Sequence, residues 1–426
     1  MTNANVYDEF QWRGLVYDAT EGLKEAFASE KITAYIGFDP SASSLHAGNL
    51  LTIMGLVRLQ RFGHTPIAVA GGGTGLIGDP SGKTAERQML TKEEVNTNLE
   101  GIKEQLSRFL DFKSAQNPAI MVNNADWLTT TSLTDFLREI GKHFSVNNMI
   151  AKESVRRRLE GDGISYTEFS YLLLQSFDFL KLIEKYHCTL QMGGSDQWGN
   201  ITSGTDLIRK IHGVKAHALV FPLLTTSSGA KFGKSVGGAV WLDAARTSPY
   251  RFYQFWINSE DKEVINYLKY FTLLSQNEID ELAASSAAAP EKREAQRRLA
   301  QEVTRLVHGD SALQKAEQAS KILFGGEIGD LGLKDFLDVF AEVPSAQIAP
   351  TLLQGEGSNI ADIIVASGLL QSKGEAKRLI QGGGIYLNNR RVSDIKQNVT
   401  LRDTVEGQAF ILRKGAKDYR LVKINS

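Results

Sequence analysis

Apolar residues in the first half of the chain follow two spacings, and together these predict a parallel α/β sheet. Residues 32–38 form a short apolar run rich in β-forming side chains, and apolar residues then recur at helical spacing from Leu50 onward. A second apolar run covers 66–70. A strand, a helix and a strand in this succession are typical of a βαβ unit, whose ligands bind beyond the carboxyl ends of its strands. Further strands are predicted at 189–192 and 218–221.

The helices predicted between these strands differ in polarity. Residues 92–112 have one apolar face, whereas the helix that begins near residue 165 is apolar nearly all round, as expected for a buried helix. Within it, Tyr171, Gln175 and Asp178 share one stripe because they are four and three residues apart. A buried carboxylate without a partner is costly. The stripe is therefore predicted either to pair inside the protein or to line a small polar pocket.

The second half of the chain is less regular and predicts smaller domains. Residues 261–341 are helical with polar outer faces, and two prolines and two glycines follow within 344–358. Two short helices and a hairpin are predicted after them. The expected organisation is a Rossmann-type, doubly wound parallel sheet over 1–250 with a largely helical insertion at about 120–160, a helical domain over 251–343, a linker over 344–357 and an α+β domain over 358–426.

Charge is distributed unevenly, and this predicts a polyanionic partner. The net charge of the 426 residues is −1, but residues 358–426 carry 12 Lys plus Arg against 6 Asp plus Glu, a balance of +6 that leaves −7 for the rest. A basic module on an acidic body favours a polyanion, although a solvated basic face produces the same excess. Cys188 is the only cysteine, and the chain shows neither a signal-peptide pattern nor a long apolar run. We therefore expect a cytoplasmic protein.

Two polar loops follow the first two predicted strands. His46-Ala47-Gly48-Asn49 starts a helix, where unpaired backbone N–H groups favour an anion such as phosphate. The glycine-rich loop at 71–84 offers the carboxylate of Asp79 and, with the residues just after it, the cations Lys83 and Arg87. This loop lacks the glycine that a P-loop requires, and Pro80 interrupts the helix that a dinucleotide-binding fingerprint requires.

Further candidate residues lie later in the chain. A second glycine-rich turn covers 193–200, and a third loop, at 227–235, carries Lys231 and Lys234, two cations suited to a polyphosphate. In the basic C-terminal segment, the predicted helices and hairpin present lysines and arginines that suit RNA recognised through its backbone and shape.

In this order, the motifs resemble the bacterial tyrosyl-tRNA synthetases, a family of class I aminoacyl-tRNA synthetases. The resemblance extends from Tyr35 to the C-terminus and includes an S4-like RNA-binding domain at 358–426. Its motifs are His46-Ala47-Gly48-Asn49, Gly78-Asp79-Pro80-Ser81, Gly193-Gly194-Ser195-Asp196-Gln197 and Lys231-Phe232-Gly233-Lys234-Ser235. The resemblance implies a ligase that joins L-tyrosine to ATP, with Mg²⁺ bound to the nucleotide, and then transfers the tyrosyl group to the 3′ end of tRNA(Tyr). It also implies a homodimer with an interface at 125–150.

The resemblance further implies a role for each matching residue. Catalysis is expected of His46, Asn49, Ser41, Lys231, Lys234, Ser235, Lys83 and Arg87. Tyrosine binding is expected of Tyr35, Asp79, Tyr171, Gln175, Asp178, Gln197 and Asn124, with Trp127 supporting Asp178. ATP or adenylate binding is expected of Gly37, Asp39, His46, Gly48, Thr52, Gly194, Asp196 and Lys234. RNA binding is expected of Arg156, Arg157, Lys373, Lys377, Arg378, Arg390 and Arg391. No protein ligand of a metal is implied.

The sequence also departs from the family pattern, and two alternatives stay open. Asn49 replaces the second histidine of many class I signatures, and Ile36 stands where some relatives have a cysteine. Ser41 and Ser235 stand where threonine is common. One alternative is a tryptophanyl-tRNA synthetase, although Tyr35 and Asp178 suit a phenolic hydroxyl better than an indole nitrogen. The other is a non-catalytic S4-type RNA-binding protein, against which the intact lysine loop argues.

Overall fold

The structure is a computed structural model that describes residues 5–81, 89–161, 163–224, 232–235, 238–323, 326, 328, 331–341, 343–415 and 418–425. For residues 154, 234, 235 and 323 it describes the backbone. The chain forms two compact units, Met1–Arg246 with Ser259–Leu299, and Thr247–Asn258 with Ala300–Ser426. No helix of the described ranges is both long enough and apolar enough to cross a membrane.

The strands and helices are as follows. The strands are β1 Asp18–Ala19, β2 Thr33–Phe38, β3 Thr65–Ala70, β4 Ile120–Asn123, β5 Leu190–Gly194, β6 His217–Phe221, β7 Lys234–Ser235, β8 Gly238–Ala239, β9 Ser345–Ile348, β10 Ser358–Asn359, β11 Ile385–Leu387, β12 Arg390–Arg391, β13 Asn398–Val399, β14 Ala409–Lys414 and β15 Asp418–Ile424. The helices are α1 Val6–Trp12, α2 Leu23–Ser29, α3 Leu50–Arg61, α4 Lys92–Phe109, α5 Ala125–Leu128, α6 Leu133–Asp135, α7 Val146–Ile150, α8 Glu153–Leu159, α9 Tyr166–Tyr186, α10 Trp198–His212, α11 Pro249–Ile257, α12 Asp261–Phe271, α13 Gln276–Ala288, α14 Glu294–Leu323, α15 Leu333–Val339, α16 Ile360–Ala366 and α17 Lys373–Gln381. The long helix α14 contains one non-helical residue, Gly309.

The first unit is built on a sheet in the order β1-β6-β5-β2-β3-β4. Neighbours from β6 to β4 are parallel, and only the two-residue β1 is antiparallel. The chain runs outward from β2 through β3 to β4 and then returns to place β5 on the other side of β2. In such a sheet the crevice between the carboxyl ends of β2 and β5 is the expected ligand site. The Rossmann-type fold predicted from the spacing of apolar residues is confirmed.

Helix α9 packs its apolar side chains against this sheet. Phe179 and Leu182 are fully buried, and the ring of Phe179 meets that of Tyr35 edge to face at 5.3 Å. At the start of α9, the side chain of Ser165 accepts the backbone N–H of Glu168. The carboxylate of Glu168 does not accept the backbone N–H of Ser165 in exchange. It forms a buried ion pair with Arg158 at 2.9 Å, so the third arginine of the 156–158 run is a core residue.

The second unit contains a five-stranded sheet in the order β12-β11-β14-β15-β9. Helices α16 and α17 contribute Ile360, Ile364 and Ile380 to a core with Phe410 of β14. The predicted linker at 344–357 contains β9, which pairs in parallel with β15. A four-residue edge strand bonded to residues about 75 positions later leaves no local signal. The finer domain boundaries given above remain predictions.

Candidate active site

A cavity of about 330 Å³ opens at the crevice between β2 and β5. Most predicted site residues of the first unit line it. They are Tyr35, Gly37, Asp39, Ser41, His46, Asn49, Thr52, Asp79, Asn124, Tyr171, Gln175, Asp178, Gly194 and Gln197. These side chains come from segments far apart in the chain, and the parallel sheet brings them together because its strands end at one edge.

Asp178 is the buried acceptor of the cavity. Its Oδ1 accepts the indole N–H of Trp127 at 2.7 Å, and its Oδ2 accepts from Nδ2 of Asn124 at 2.9 Å. Asn124 is fixed in turn, because its Oδ1 accepts the backbone N–H of Gly73 and its Nδ2 also donates to Thr74. The stripe residue Asp178 therefore both pairs inside the protein and lines the pocket. Both arrangements that the sequence predicts as alternatives are therefore present at this residue.

Burial raises the pKa of Asp178 from 3.8 to about 7, although the hydrogen bonds from Asn124 and Trp127 oppose the shift. Because the folded form holds its proton more tightly than the unfolded chain, the free energy of unfolding should fall as pH rises from about 4 to about 7. Asp178→Asn removes this titration. In thermal unfolding, we expect Asp178→Asn to become more stable relative to the parent protein as pH rises across that interval. A pH-independent difference would contradict the assignment.

Tyr35 and Gln191 supply polar atoms that lack partners in the cavity. The Tyr35 hydroxyl and Gln191 Oε1 are both buried without a hydrogen bond among the described residues. Burial and the nearby Asp178 charge raise the pKa of Tyr35, which keeps its hydroxyl protonated. An unpaired buried polar group costs about 1–3 kcal/mol, so the arrangement favours a ligand that presents both a donor and an acceptor.

Further polar side chains form two hydrogen-bonded groups around Asp39 and Asp79. The hydroxyls of Tyr171 and Thr74 donate to the two oxygens of Asp39 at 2.9 and 2.7 Å. Nε2 of Gln197 donates to Asp79 Oδ2 at 2.7 Å. Gln197 Oε1 accepts from Gln175, whose own Oε1 accepts from Asn200. Several carboxylates around one cavity, with no lysine or arginine among its described lining residues, favour a ligand with an ammonium group.

The helix start at His46 lines another side of the cavity, where its hydrogen-bond donors suit an anion. His46 Nδ1 accepts the backbone N–H of Gly48, and Asn49 Oδ1 accepts the backbone N–H of His46. A neutral imidazole that accepts at Nδ1 carries its proton on Nε2, so His46 can donate from Nε2 to a phosphate oxygen. Asn49 retains the donors of its amide nitrogen. Gly37 leaves open space above β2, because a Cβ built there meets no atom within 4 Å.

The lysine loop joins this helix start through its backbone. Gly233 O accepts from Val240 N at 2.9 Å, and Val240 O accepts from Ala47 N at 2.7 Å. Lys234 and Ser235 form β7, which pairs with β8. The predicted cations Lys83, Arg87 and Lys231 lie outside the described residues.

The remaining predicted residues lie near the cavity or away from it. Gly48 and Asp196 border the cavity through His46 and Gly194 rather than lining it. Arg156 and Arg157 are exposed on α8 and pair with acidic residues of the same segment. In the second unit Lys373, Lys377, Arg378, Arg390 and Arg391 are all exposed on α17 and β12.

Sequence reasoning missed Thr74, Gln191 and Asn200. Thr74 joins the Asp39 group to Asn124, and Asn200 joins Gln175 to Ser81. A signal was available for Gln191, since a lone amide in the apolar strand β5 is unusual. Thr74 and Asn200 gave no such signal, because short polar residues are ordinary in a glycine-rich loop and in the first turn of a helix.

Comparison with known proteins identifies the family. The family described as tRNA synthetases class I (W and Y) matches residues 28–325, and the tyrosine–tRNA ligase SYY-like C-terminal domain matches 335–422. The chain is 55% identical over 420 residues to the tyrosine–tRNA ligase of Roseiflexus castenholzii, covering 98% of this chain and 99% of that one. It is 51% identical over 422 residues to tyrosine–tRNA ligase 1 of Bacillus subtilis, again covering 98% and 99%.

A solved structure has the same fold. The C-terminally truncated mitochondrial tyrosyl-tRNA synthetase of Aspergillus nidulans superposes with a TM-score of 0.69 at 29% identity, covering 75% of this chain and 94% of that one. The cavity, the two family matches and the identity over nearly the full length agree. This protein belongs to the tyrosine–tRNA ligase family of class I tRNA synthetases.

Proposed function

We propose that the protein charges tRNA(Tyr) with L-tyrosine in two steps, forming tyrosyl-adenylate and pyrophosphate from ATP before the transfer to tRNA. The observation that carries the proposal is that one cavity contains the buried Asp178 carboxylate, the Tyr35 hydroxyl, which has no hydrogen bond among the described residues, and the helix start at His46. The phenolic hydroxyl of a bound tyrosine can donate to the Asp178 carboxylate and accept from the Tyr35 hydroxyl. An indole N–H can donate only, so tryptophan would leave the Tyr35 hydroxyl unpaired.

The chemistry requires positioning rather than a protein nucleophile. A carboxylate oxygen of tyrosine attacks the α-phosphorus of ATP, the bond from that phosphorus to the bridging oxygen breaks, and pyrophosphate leaves. Two anions must be held in line while charge grows on the phosphates, a task for fixed donors and cations. We assign the donors to His46 Nε2, the Asn49 amide and Ser41, and the cations to Lys234 and Lys231, with Lys83 and Arg87 in support. Ser235 assists beside Lys234.

The two substrates occupy different parts of the cavity in this proposal. The tyrosine ammonium lies among Asp79, Tyr171 and Gln175, and its carboxylate lies near Gln197. The adenylate runs along Gly37, Asp39 and Thr52, with its ribose at Gly194 and Asp196. Mg²⁺ enters bound to ATP. Within the described ranges, no three His, Cys, Asp or Glu side chains are clustered to hold a metal.

Exchange of labelled pyrophosphate into ATP tests the first step. We expect exchange with tyrosine, and negligible exchange with tryptophan or phenylalanine. Exchange driven by tryptophan would instead favour a tryptophanyl-tRNA synthetase. Lack of exchange with all three amino acids, together with retained RNA binding, would favour a non-catalytic RNA-binding protein.

The basic surface of the second unit is proposed to bind tRNA. Lys377 and Arg378 are exposed on α17. We expect Lys377→Glu with Arg378→Glu to weaken tRNA charging by roughly tenfold at physiological salt and to leave pyrophosphate exchange unchanged, because phosphate contacts are lost. Charging rates measured across salt concentrations check this, with Lys334→Glu, an exposed lysine on α15, as the control.

Point substitutions are a sharper test than truncation. Removing residues 358–426 would also strip Ile411 and Leu421 from the core that they share with Tyr250 and Ile322. Such a truncation would confuse lost RNA binding with an unfolded second unit. Unchanged charging by the double variant would contradict the RNA-binding role of this surface.

We also propose that the protein is a cytoplasmic homodimer that uses residues 125–150. Leu133, Leu137, Val146 and Ile150 are large apolar side chains exposed by 73, 46, 58 and 42% in this segment. Several exposed large apolar side chains in one short segment favour a protein partner, and a second copy is the partner that the family resemblance implies. Sedimentation of Leu133→Glu with Leu137→Glu should show a monomer, whereas Leu401→Glu, an exposed leucine of the second unit, should not change the assembly.

A further inference from the structure

Phe232 is an apolar residue in a polar, glycine-rich loop, and its ring is packed inside the protein. The side chain is 7% exposed. It stacks on Phe271 with ring centres 5.3 Å apart and planes at 14°, and it lies 5.0 Å from the ring of Tyr267. Burial of a phenylalanine ring and its packing against other aromatic rings both stabilise the backbone that carries it. The loop is therefore attached at this residue.

The two rings that receive Phe232 are held rigidly on one helix. Tyr267 and Phe271 are four residues apart on α12, so they lie on one face. The C-terminal end of α12 is fixed by two buried guanidinium groups. Arg58 donates to the carbonyls of residues 269, 270 and 272, and Arg13 donates to those of 269, 272 and 274, at distances from 2.7 to 3.3 Å. Cations at a helix C-terminus are favourably placed, and these also satisfy carbonyls that the helix leaves unpaired.

The residue after Phe232 touches the helix start that carries His46. Gly233 has φ +84°, and a Cβ built on it lies 2.7 Å from Gly48 N. A side chain is therefore excluded at Gly233 both by its backbone conformation and by this contact. The ring of Phe232 and the backbone of Gly233 thus attach the loop at adjacent points, directly before Lys234.

We propose that Phe232 is a positioning residue for the activation step: docking of its ring against Tyr267 and Phe271 fixes the backbone directly before Lys234, the residue to which the proposed function assigns a cation for the phosphates. This inference rests on the proposed function. Phe232 itself does not line the cavity, so it acts through the loop. A displacement of about 1 Å at a reacting group costs up to about 100-fold in rate, so loss of this attachment should be visible in the chemical step.

The test compares Phe232→Leu and Phe232→Ala with a matched control, Phe27→Leu. Phe27 lies on α2, and its ring is also buried but packs against His64. We expect the single-turnover rate of adenylate formation at saturating ATP to fall about tenfold for leucine and about 100-fold for alanine. Tyrosine affinity should stay within about twofold of the parent value, because its pocket is untouched. Phe27→Leu should leave both quantities unchanged.

Two further variants keep the test decisive if Phe232→Ala unfolds. The double variant Phe232→Leu with Tyr267→Leu should lower the rate by less than the product of the two separate effects, because each substitution removes the same ring contact. In a Lys234→Ala background, Phe232→Leu should lower the rate by less than about twofold, since the ammonium that it positions is gone. The inference would be overturned if Phe232→Leu still caused its full loss of rate in the Lys234→Ala background, if it left the rate of the otherwise unchanged protein as it was, or if it lowered tyrosine affinity in parallel. A parent protein inactive with tyrosine would instead overturn the proposed function.

Discussion

Asp178→Ala is expected to weaken tyrosine binding by roughly 100-fold, because a hydrogen bond to a buried charged acceptor is lost. ATP affinity should change little, since Asp178 lies in the part of the cavity lined by Asn124 and Tyr35. Equilibrium binding of each substrate, measured separately, checks the prediction. Ser176→Ala is the control on the same helix, because the one partner of the buried Ser176 hydroxyl among the described residues is the carbonyl of Leu172.

The same variant should lose its preference for tyrosine over phenylalanine. In the parent protein, phenylalanine would leave the Asp178 carboxylate and the Tyr35 hydroxyl without the partner that a phenol provides. A site built around a hydroxyl rejects the analogue that lacks it, and tyrosyl-tRNA synthetases are the standard example of that rule. Removing Asp178 reduces this penalty. Unchanged tyrosine affinity in Asp178→Ala would refute the pocket assignment.

Local patterns explain why much of the fold was predictable. The strands of the first unit are short apolar runs, and the glycine-rich turns fall where those runs end, so sequence alone places His46 and Gly194 at one edge of a parallel sheet. The stripe of Tyr171, Gln175 and Asp178 followed from helical spacing. Placing these residues in one cavity with assigned roles also required the family resemblance.

Features that depend on distant partners were not predictable. Strand β9 forms only because β15 lies beside it, and nothing within 345–348 distinguishes that strand from a loop. Arg158 resembles its exposed neighbours Arg156 and Arg157, yet it is buried because Glu168 of the next helix faces it. The docking of Phe232 likewise depends on α12, more than 30 residues further along the chain.

Lys234→Ala is expected to reduce pyrophosphate exchange by at least roughly 100-fold while tyrosine binding survives. Its backbone position supports this separation of effects. Residue 234 follows Gly233, which is joined through Val240 to the helix start at Ala47. In the proposed function that helix start meets the phosphates, whereas Asp178 and its partners Asn124 and Trp127 form the tyrosine side. An ammonium at this position stabilises charge that grows only as the phosphate bond breaks, so its loss should lower the rate and spare ground-state binding of the amino acid.

The comparison variants separate this role from a general charge effect. Lys103→Ala removes a lysine on α4 that pairs with Glu100, and it should leave exchange unchanged. Lys234→Arg keeps the charge but replaces a compact ammonium with a planar guanidinium, so only partial recovery is expected. Equal loss of exchange and tyrosine affinity in Lys234→Ala would place the ammonium in the tyrosine pocket. The lysine loop would then serve substrate binding rather than the transition state, because an interaction present equally in both states cannot accelerate the chemical step.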